Sequence, residues 1–402
     1  MKEKYFWIRL CIFNFLIVSL LGVIMRYNLL YPINGVEHKF FRFSHSHFAF
    51  YGWVTALLYF LVAEHLRDSL GIHIKKYKKL MVINQIASYG MMFSFMYRGY
   101  FWLSIIFATL ALCVGFAYFS FIMKDTKGRI SSELPWLRMG SFSALFSAIG
   151  IFVLAYIMAS KKSLPELYRA ATYFYMHFQY NGFFLLSCIG IMLISLRKKG
   201  IQISEKANDA AFHLLTAGTL VGYGLSVLWL RGIPTSVSIF LGFVAIAQLY
   251  GFGLIVKLIK KHWPKISEDW SAVQKLAFLV SGTALILKFL FQSISVIPAW
   301  AFIFDNLNFV IGFLHLVLLM GISLFLIWKI LEIRIFELNK GVKAGIYLMI
   351  FGIILNEIIL GIAGLYPIPY LLAPKGLLLA SLIIMTALII LNLSIRRNKK
   401  QP

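Results

Sequence analysis

The chain has 402 residues, 60% of them apolar or aromatic and only 13% charged, with a mean hydropathy of +0.82. A soluble domain is about a quarter charged, so soluble α/β enzymes, coiled coils and disordered chains are excluded and an integral membrane protein is indicated. Lys and Arg number 39 against 15 Asp and Glu, a net charge of +24; with so little sequence outside apolar runs, that excess reads as loop topology and contact with anionic lipid, not as nucleic-acid binding.

From the N-terminus, Lys2-Glu3-Lys4 leads into about 20 apolar residues without a small-residue cleavage site, which reads as a first span and not as a removed signal peptide. Further apolar runs bounded by charge, Pro or Gly give spans at 6–27, 44–66, 79–97, 101–123, 137–159, 171–195, 210–230, 235–259, 273–294, 299–330, 342–364 and 376–395. The expected fold is therefore an all-α membrane protein of twelve transmembrane helices, with residues 1–402 forming one polytopic membrane domain. Alternate loops test the division. The N-terminus, every second loop and the C-terminal tail together hold 28 Lys and Arg, while the six opposite loops hold 9. By the positive-inside rule both termini are cytoplasmic and the protein sits in the cell's inner membrane. Cys11, Cys113 and Cys188 each lie in an apolar run and form no CxxC pair, so neither a disulfide framework nor a thiolate metal site is indicated.

Polar side chains in the hydrocarbon region are costly and mark candidate sites. Of nine histidines, His38, His65, His73 and His262 fall in loops or at helix ends, and His213 starts the seventh span, where snorkelling explains it. His45 and His47 on the second span, His177 on the sixth and His315 on the tenth remain. All three spans run inward from the outer surface. Asp305, Asn306 and Asn308 suggest that the tenth enters hydrocarbon near residue 307, which puts these histidines at a similar depth of one or two turns. Their contexts also repeat: His47-Phe-Ala-Phe-Tyr-Gly52, His177-Phe-Gln-Tyr-Asn-Gly182 and His315-Leu-Val-Leu-Leu-Met-Gly321, spaced by 130 and 138 residues. An imidazole followed by Gly lets a flat, bulky group approach the helix beside its ligand.

With these residues in place, the sequence resembles the catalytic subunit of the heme-copper oxidase and nitric oxide reductase superfamily. That resemblance implies twelve helices in three arcs of four, with histidines of the second, sixth, seventh and tenth helices holding a low-spin heme, a high-spin heme and a copper or non-heme iron. Arg42-Phe-Ser-His45 resembles the Arg-x-x-His of some branches and points to His45 as a low-spin ligand, whereas the internal repeat points to His47. Residues two apart on a helix face about 200° from each other, so one of the two is expected to ligate. His177-Phe-Gln-Tyr-Asn-Gly182 is similar to the reductase motif whose His binds the non-heme metal, and Phe313-Leu-His315 resembles a His-x-His with the first His replaced.

The departures shape the expected function. Phe313 stands where the high-spin heme ligand belongs, Leu228-Trp-Leu-Arg-Gly-Ile-Pro234 lacks the seventh-helix histidines, and Asn181 replaces the reductase Glu. The resemblance then implies a b-type low-spin heme held by His45 or His47 with His315, His177 as the one residual metal ligand, and no expected copper or non-heme iron. The leading expectation is electron transfer or handling of O2 or NO, with lipid, other respiratory membrane subunits or an electron donor as partners. The alternatives are an active oxygen or nitric oxide reductase with a nonstandard metal site and a twelve-helix transporter. Arg26, Arg42, Arg98, Arg169 and Arg231 at the outer face suit propionate carboxylates. Lys288 and Glu357 are buried ionisable candidates for an ion pair or a proton route.

Overall fold

The computed structural model describes residues 2–160, 162–230, 233–297, 300, 306–366 and 371–398. Among them the long helices are α1 (Lys2–Leu30), α2 (His38–Leu70), α3 (Lys75–Arg98), α4 (Trp102–Asp125), α5 (Leu134–Ser160), α6 (Pro165–Lys198), α7 (Glu205–Val227), α8 (Thr235–Lys261), α9 (Ala272–Ile294), α10 (Leu307–Glu332), α11 (Lys340–Leu365) and α12 (Leu372–Ser394). These match the twelve expected spans in order; the expected start of the tenth, at 299, with Asp305, lies outside the described residues. Eleven are long and apolar enough to cross a membrane. The exception is α3, whose 24 residues open on four lysines and carry Asn84 and Gln85. No strand forms among the described residues; Phe336 and Arg397 make one isolated antiparallel bridge. Cys11, Cys113 and Cys188 are free thiols.

Local chemistry sets the helix ends. Ser204, Asn306 and Asn339 cap α7, α10 and α11 by accepting backbone N–H groups from Ala207, Asn308 and Val342. Gly71 ends α2 at φ 66°, a left-handed geometry that Gly adopts without a side-chain penalty, and its N–H closes onto Arg67. Contacts group the chain into two compact units. The first comprises Met1–Val114, Trp270–Thr283 and Asn306–Pro402; the second comprises Gly115–Asp269 and Ala284–Asp305.

Three helices share an unusual interior. In α2 an α-helical run ends at His47 and a π-helical segment, Phe48–Thr55, follows. In α6 the α-helical run ends at His177 and π-helix spans Phe178–Phe184. In α10 the boundary is His315, and π-helix spans Leu316–Ser323. The repeated His-to-Gly strings thus mark a repeated backbone device. π-Helical turns are rare, arise where an extra residue is accommodated and concentrate at functional sites.

The widened turns leave carbonyls that need donors, since lipid supplies none. In the first unit, Asn14 Nδ2 donates to Gly52 O (2.7 Å) and to Gln85 Oε1 (2.9 Å), Tyr89 OH donates to Asn14 Oδ1 (2.7 Å), and Asn84 Nδ2 donates to Tyr51 O (2.9 Å). Ser281 Oγ donates to Gly321 O (2.6 Å), and Trp53 Nε1 donates to Ser323 Oγ (2.9 Å), tying the π segments of α2 and α10 together. In the second unit, Gly182 lets α6 approach α5: a Cβ there would lie 2.4 Å from Ser143 Cβ.

Candidate functional site: a histidine pair and a buried single histidine

In the first unit, His45 and His47 diverge as their two-residue spacing requires. His45 turns to α1, where its Nδ1 lies 3.0 Å from Val18 O, and a Cβ on Gly22 would sit 3.4 Å from its Cε1. His47 turns to α3. Its ring lies 4.4 Å from that of Phe95, its Nδ1 is 2.8 Å from Phe43 O, and its Nε2 is 3.4 Å from Tyr100 OH.

His315 on α10 places its Nδ1 2.8 Å from Ile311 O. A carbonyl only accepts, so Nδ1 carries the proton in His45 and in His315, and the lone pair lies on Nε2. Neither Nε2 makes a hydrogen bond within the described residues, and both rings are half-buried. The groups that act electrostatically on His315 are Arg26 and His45, and Arg26 acts on His45 as well. The structure therefore brings His45, His315 and Arg26 together.

Arg42 is not part of this group: it is exposed, and its guanidinium lies 5.9 Å from the Phe43 ring centroid. Arg26 on α1 donates through Nη1 to Leu377 O (2.7 Å) and Ser381 Oγ (3.0 Å) of α12. It is also the charged neighbour of Glu357, whose Oε1 accepts from Asn356 Nδ2 at 2.9 Å. Arg169 lies over Trp229, 4.2 Å from a ring centroid, and Arg98 closes α3. Arg231 lies outside the described residues.

In the second unit, His177 is 2% exposed and uses both ring nitrogens. Nε2 lies 2.8 Å from Thr219 O and must donate to it, while Nδ1 accepts from Asn181 Nδ2 at 3.1 Å. Its tautomer is thus the reverse of that in His45 and His315, with the remaining lone pair engaged. Gln179 donates to Ser147 Oγ (3.0 Å), and Gln292 donates to Gln248 beside Gly218 and Gly222. Lys288 is 1% exposed; its ammonium sits 3.7 Å from the Phe289 ring centroid and has no hydrogen-bond partner among the described residues. No group of three or more His, Cys, Asp or Glu able to hold a metal occurs among the described residues.

Sequence reasoning singled out the four histidines, Lys288 and Glu357, but missed the Asn14–Gln85–Tyr89 network and the π segments. Its available signal was the rarity of Asn and Gln inside membrane helices, which applied to Asn14, Asn84 and Gln85 as much as to any histidine.

No protein-family model matches the chain, and no curated protein sequence matches it either. Among solved structures, the fold is similar to a heme-copper terminal oxidase determined as a dimer by cryo-EM, with a TM-score of 0.64 at 14% identity over 97% of this chain and 81% of that one. The likeness is one of fold: the chain's all-helical architecture is similar to that of the oxidase.

Proposed function

We propose that this chain is a heme-binding membrane protein in which His45 and His315 hold one low-spin b-type heme for electron transfer or the handling of a small gas such as O2 or NO. The observation that carries the reading is the shared tautomer of the pair. Each Nδ1–H is spent on a backbone carbonyl, Val18 or Ile311, which fixes the ring and leaves Nε2 as a free donor atom. These residues fit the group: neutral imidazole is a common axial ligand, both rings are accessible, and Gly22 clears the α1 surface opposite His45. Two such ligands would saturate the iron and supply one-electron chemistry. The chain's part is to hold the two imidazoles, keep their tautomer and place the Arg26 cation beside them.

His45 is favoured over His47 because Arg26 acts on it and it is itself a neighbour that acts on His315, whereas the Nε2 of His47 faces Tyr100. His177 is read as an interhelical tie: its two hydrogen bonds consume both positions through which it would bind a metal, and Phe313 supplies no second ligand. The oxidase-like fold and the eleven apolar spans support a respiratory membrane setting with a separate electron donor. The 28-to-9 split of basic residues supports cytoplasmic termini in an inner membrane. Absorption spectra of purified protein and of its histidine variants test the reading. A reduced low-spin b-type spectrum that disappears in His45→Ala and His315→Ala supports it, and colourless protein from heme-replete cells contradicts it.

A further inference from the structure

We propose that the second unit carries an internal water site among α6, α7 and α9, where an ordered water molecule accepts from Lys288 Nζ and donates to Asn181 Oδ1. Antiparallel contacts put these two groups in one layer of the unit. His177 Nε2 donates to Thr219 O, a Cβ on Gly222 would lie 3.4 Å from Gln248 Oε1 and 3.8 Å from Gln292 Nε2, and Gln292 donates to Gln248. About one turn away, toward the C-terminus of α6 and α8 and the N-terminus of α7 and α9, the same helices carry Asn181, Leu215, Phe252 and Lys288. Contacts within this next layer keep the alignment: a Cβ on Gly251 of α8 would lie 3.3 Å from Leu215 Cγ, and the Phe252 and Phe289 ring centroids are 5.0 Å apart. Lys288 is also the charged residue that acts on the His177 ring, which Asn181 touches.

The two groups lack hydrogen bonds of opposite kind. Lys288 is 1% exposed, and its Nζ has no acceptor among the described residues; the Phe289 ring, 3.7 Å away, attracts the charge without offering a lone pair. Asn181 is 4% exposed. Because Thr219 O takes the ring proton of His177, the Nδ1 of that ring must accept, so the Asn181 amide presents Nδ2 to it and turns Oδ1 away. That Oδ1 is an acceptor with no hydrogen bond among the described residues, and Tyr180 is a further neighbour of the amide. Unpaired polar atoms are costly at this depth, and lipid supplies no partner. Water suits both sides, since it accepts from a donor while donating to an acceptor, as buried waters do for polar groups that side chains leave unsatisfied. An anion would suit the ammonium but face the amide oxygen, and an apolar gas would bond to neither.

The test has two readouts on the purified full-length chain. The first is X-ray hydroxyl-radical labelling in water carrying heavy oxygen, which marks side chains beside bound water. Phe289 has a fully buried side chain, yet it is expected to take up label in the wild type and to lose it in Lys288→Met and in Asn181→Leu. An unlabelled Phe289 in the wild type would overturn the proposal. The second readout is the thermal unfolding midpoint of wild type, Lys288→Met, Asn181→Leu and the double variant. Asn181→Leu loses its contact with His177 in either background, so that loss cancels in the cycle and only the coupling to Lys288 remains. The second substitution is expected to shift the midpoint less once the first is in place; additive shifts would contradict a bridge between the two residues. A wild-type midpoint that follows chloride or bromide concentration at fixed ionic strength would overturn the water site in favour of an anion. If Lys288→Met does not fold, labelling of Phe289 in the wild type and in Asn181→Leu decides.

Discussion

His315 in the first unit and His177 in the second begin from the same local device and end in opposite chemistry. Each closes an α-helical run, each is followed by a π-helical segment, and each precedes a glycine. Yet His315 gives its Nδ1 proton to Ile311 O of its own helix and keeps Nε2 open, while His177 gives its Nε2 proton to Thr219 O of a neighbouring helix and closes Nδ1 with Asn181. A repeated backbone irregularity therefore does not determine what its imidazole does. The partner of the ring proton does, because it decides which nitrogen retains a lone pair.

The sharpest way to break this comparison is to remove the imidazoles one at a time. His315→Ala and His45→Ala are each expected to abolish the low-spin spectrum, whereas His47→Ala and His177→Ala are expected to retain it at wild-type heme content. Retention in His45→Ala with loss in His47→Ala would hand the ligand role to the ring that packs on Phe95. Loss of heme in His177→Ala, in protein that remains folded, would mean that the second-unit histidine is more than a tie.

A second comparison is steric. Gly182→Ala puts a Cβ 2.4 Å from Ser143 Cβ across the α5–α6 contact and is expected to cost about 1–3 kcal/mol, read as a lower unfolding midpoint in detergent. Gly115 has nothing within 4 Å of an added Cβ, so Gly115→Ala is the matched control and should leave the midpoint nearly unchanged. Equal effects would show that the π segment of α6 does not depend on close approach.

The polar supports of the π segments offer a third cut. Asn14→Leu strips donors from Gly52 O and Gln85 Oε1 and an acceptor from Tyr89 OH. The expected loss is about 1–3 kcal/mol, as for other buried polar groups left unsatisfied. The smallest effect is reserved for the interhelical tie itself: His177→Ala should cost about 0.6 kcal/mol, the typical worth of a polar contact between membrane helices. A large destabilisation from His177→Ala beside a neutral Asn14→Leu would reverse the assignment of which polar groups hold the helices.

Much of this fold was legible because hydrocarbon thickness and the loop charges are one-dimensional constraints: apolar length and the alternation of Lys and Arg placed all twelve helices. Even α3, too polar for a hydropathy criterion, was marked by the charges around 75–79 and by its place in that alternation. The positions of His47, His177 and His315 at matching helix interiors were legible for the same reason. What sequence could not reveal was the choice between His45 and His47. The internal repeat favours His47, and the repeat is real in the backbone, since His47 does end the α-helical run of α2. The ring that shares Arg26 with His315 is nevertheless that of His45, because its facing is fixed by which neighbouring helix lies on which side. The tautomers of His45 and His177 were hidden too. They depend on carbonyls at Val18 and Thr219 that belong to other helices and have no signature in the side-chain pattern. Arg26 looked like one outer-face arginine among five; its hold on Leu377 and Ser381, 351 and 355 residues away in sequence, is what sets it apart from Arg42.

The central claim is that the open imidazole pair holds a heme and the closed single histidine holds no metal centre. The most direct measurement is a combined heme, iron and copper analysis of purified wild-type protein, with oxidised and reduced absorption spectra of the same sample. The account predicts about one b-type heme per chain, low-spin in both oxidation states, with iron equal to heme and copper far below stoichiometry. Stoichiometric copper, a second high-spin heme, or protein without heme would contradict it.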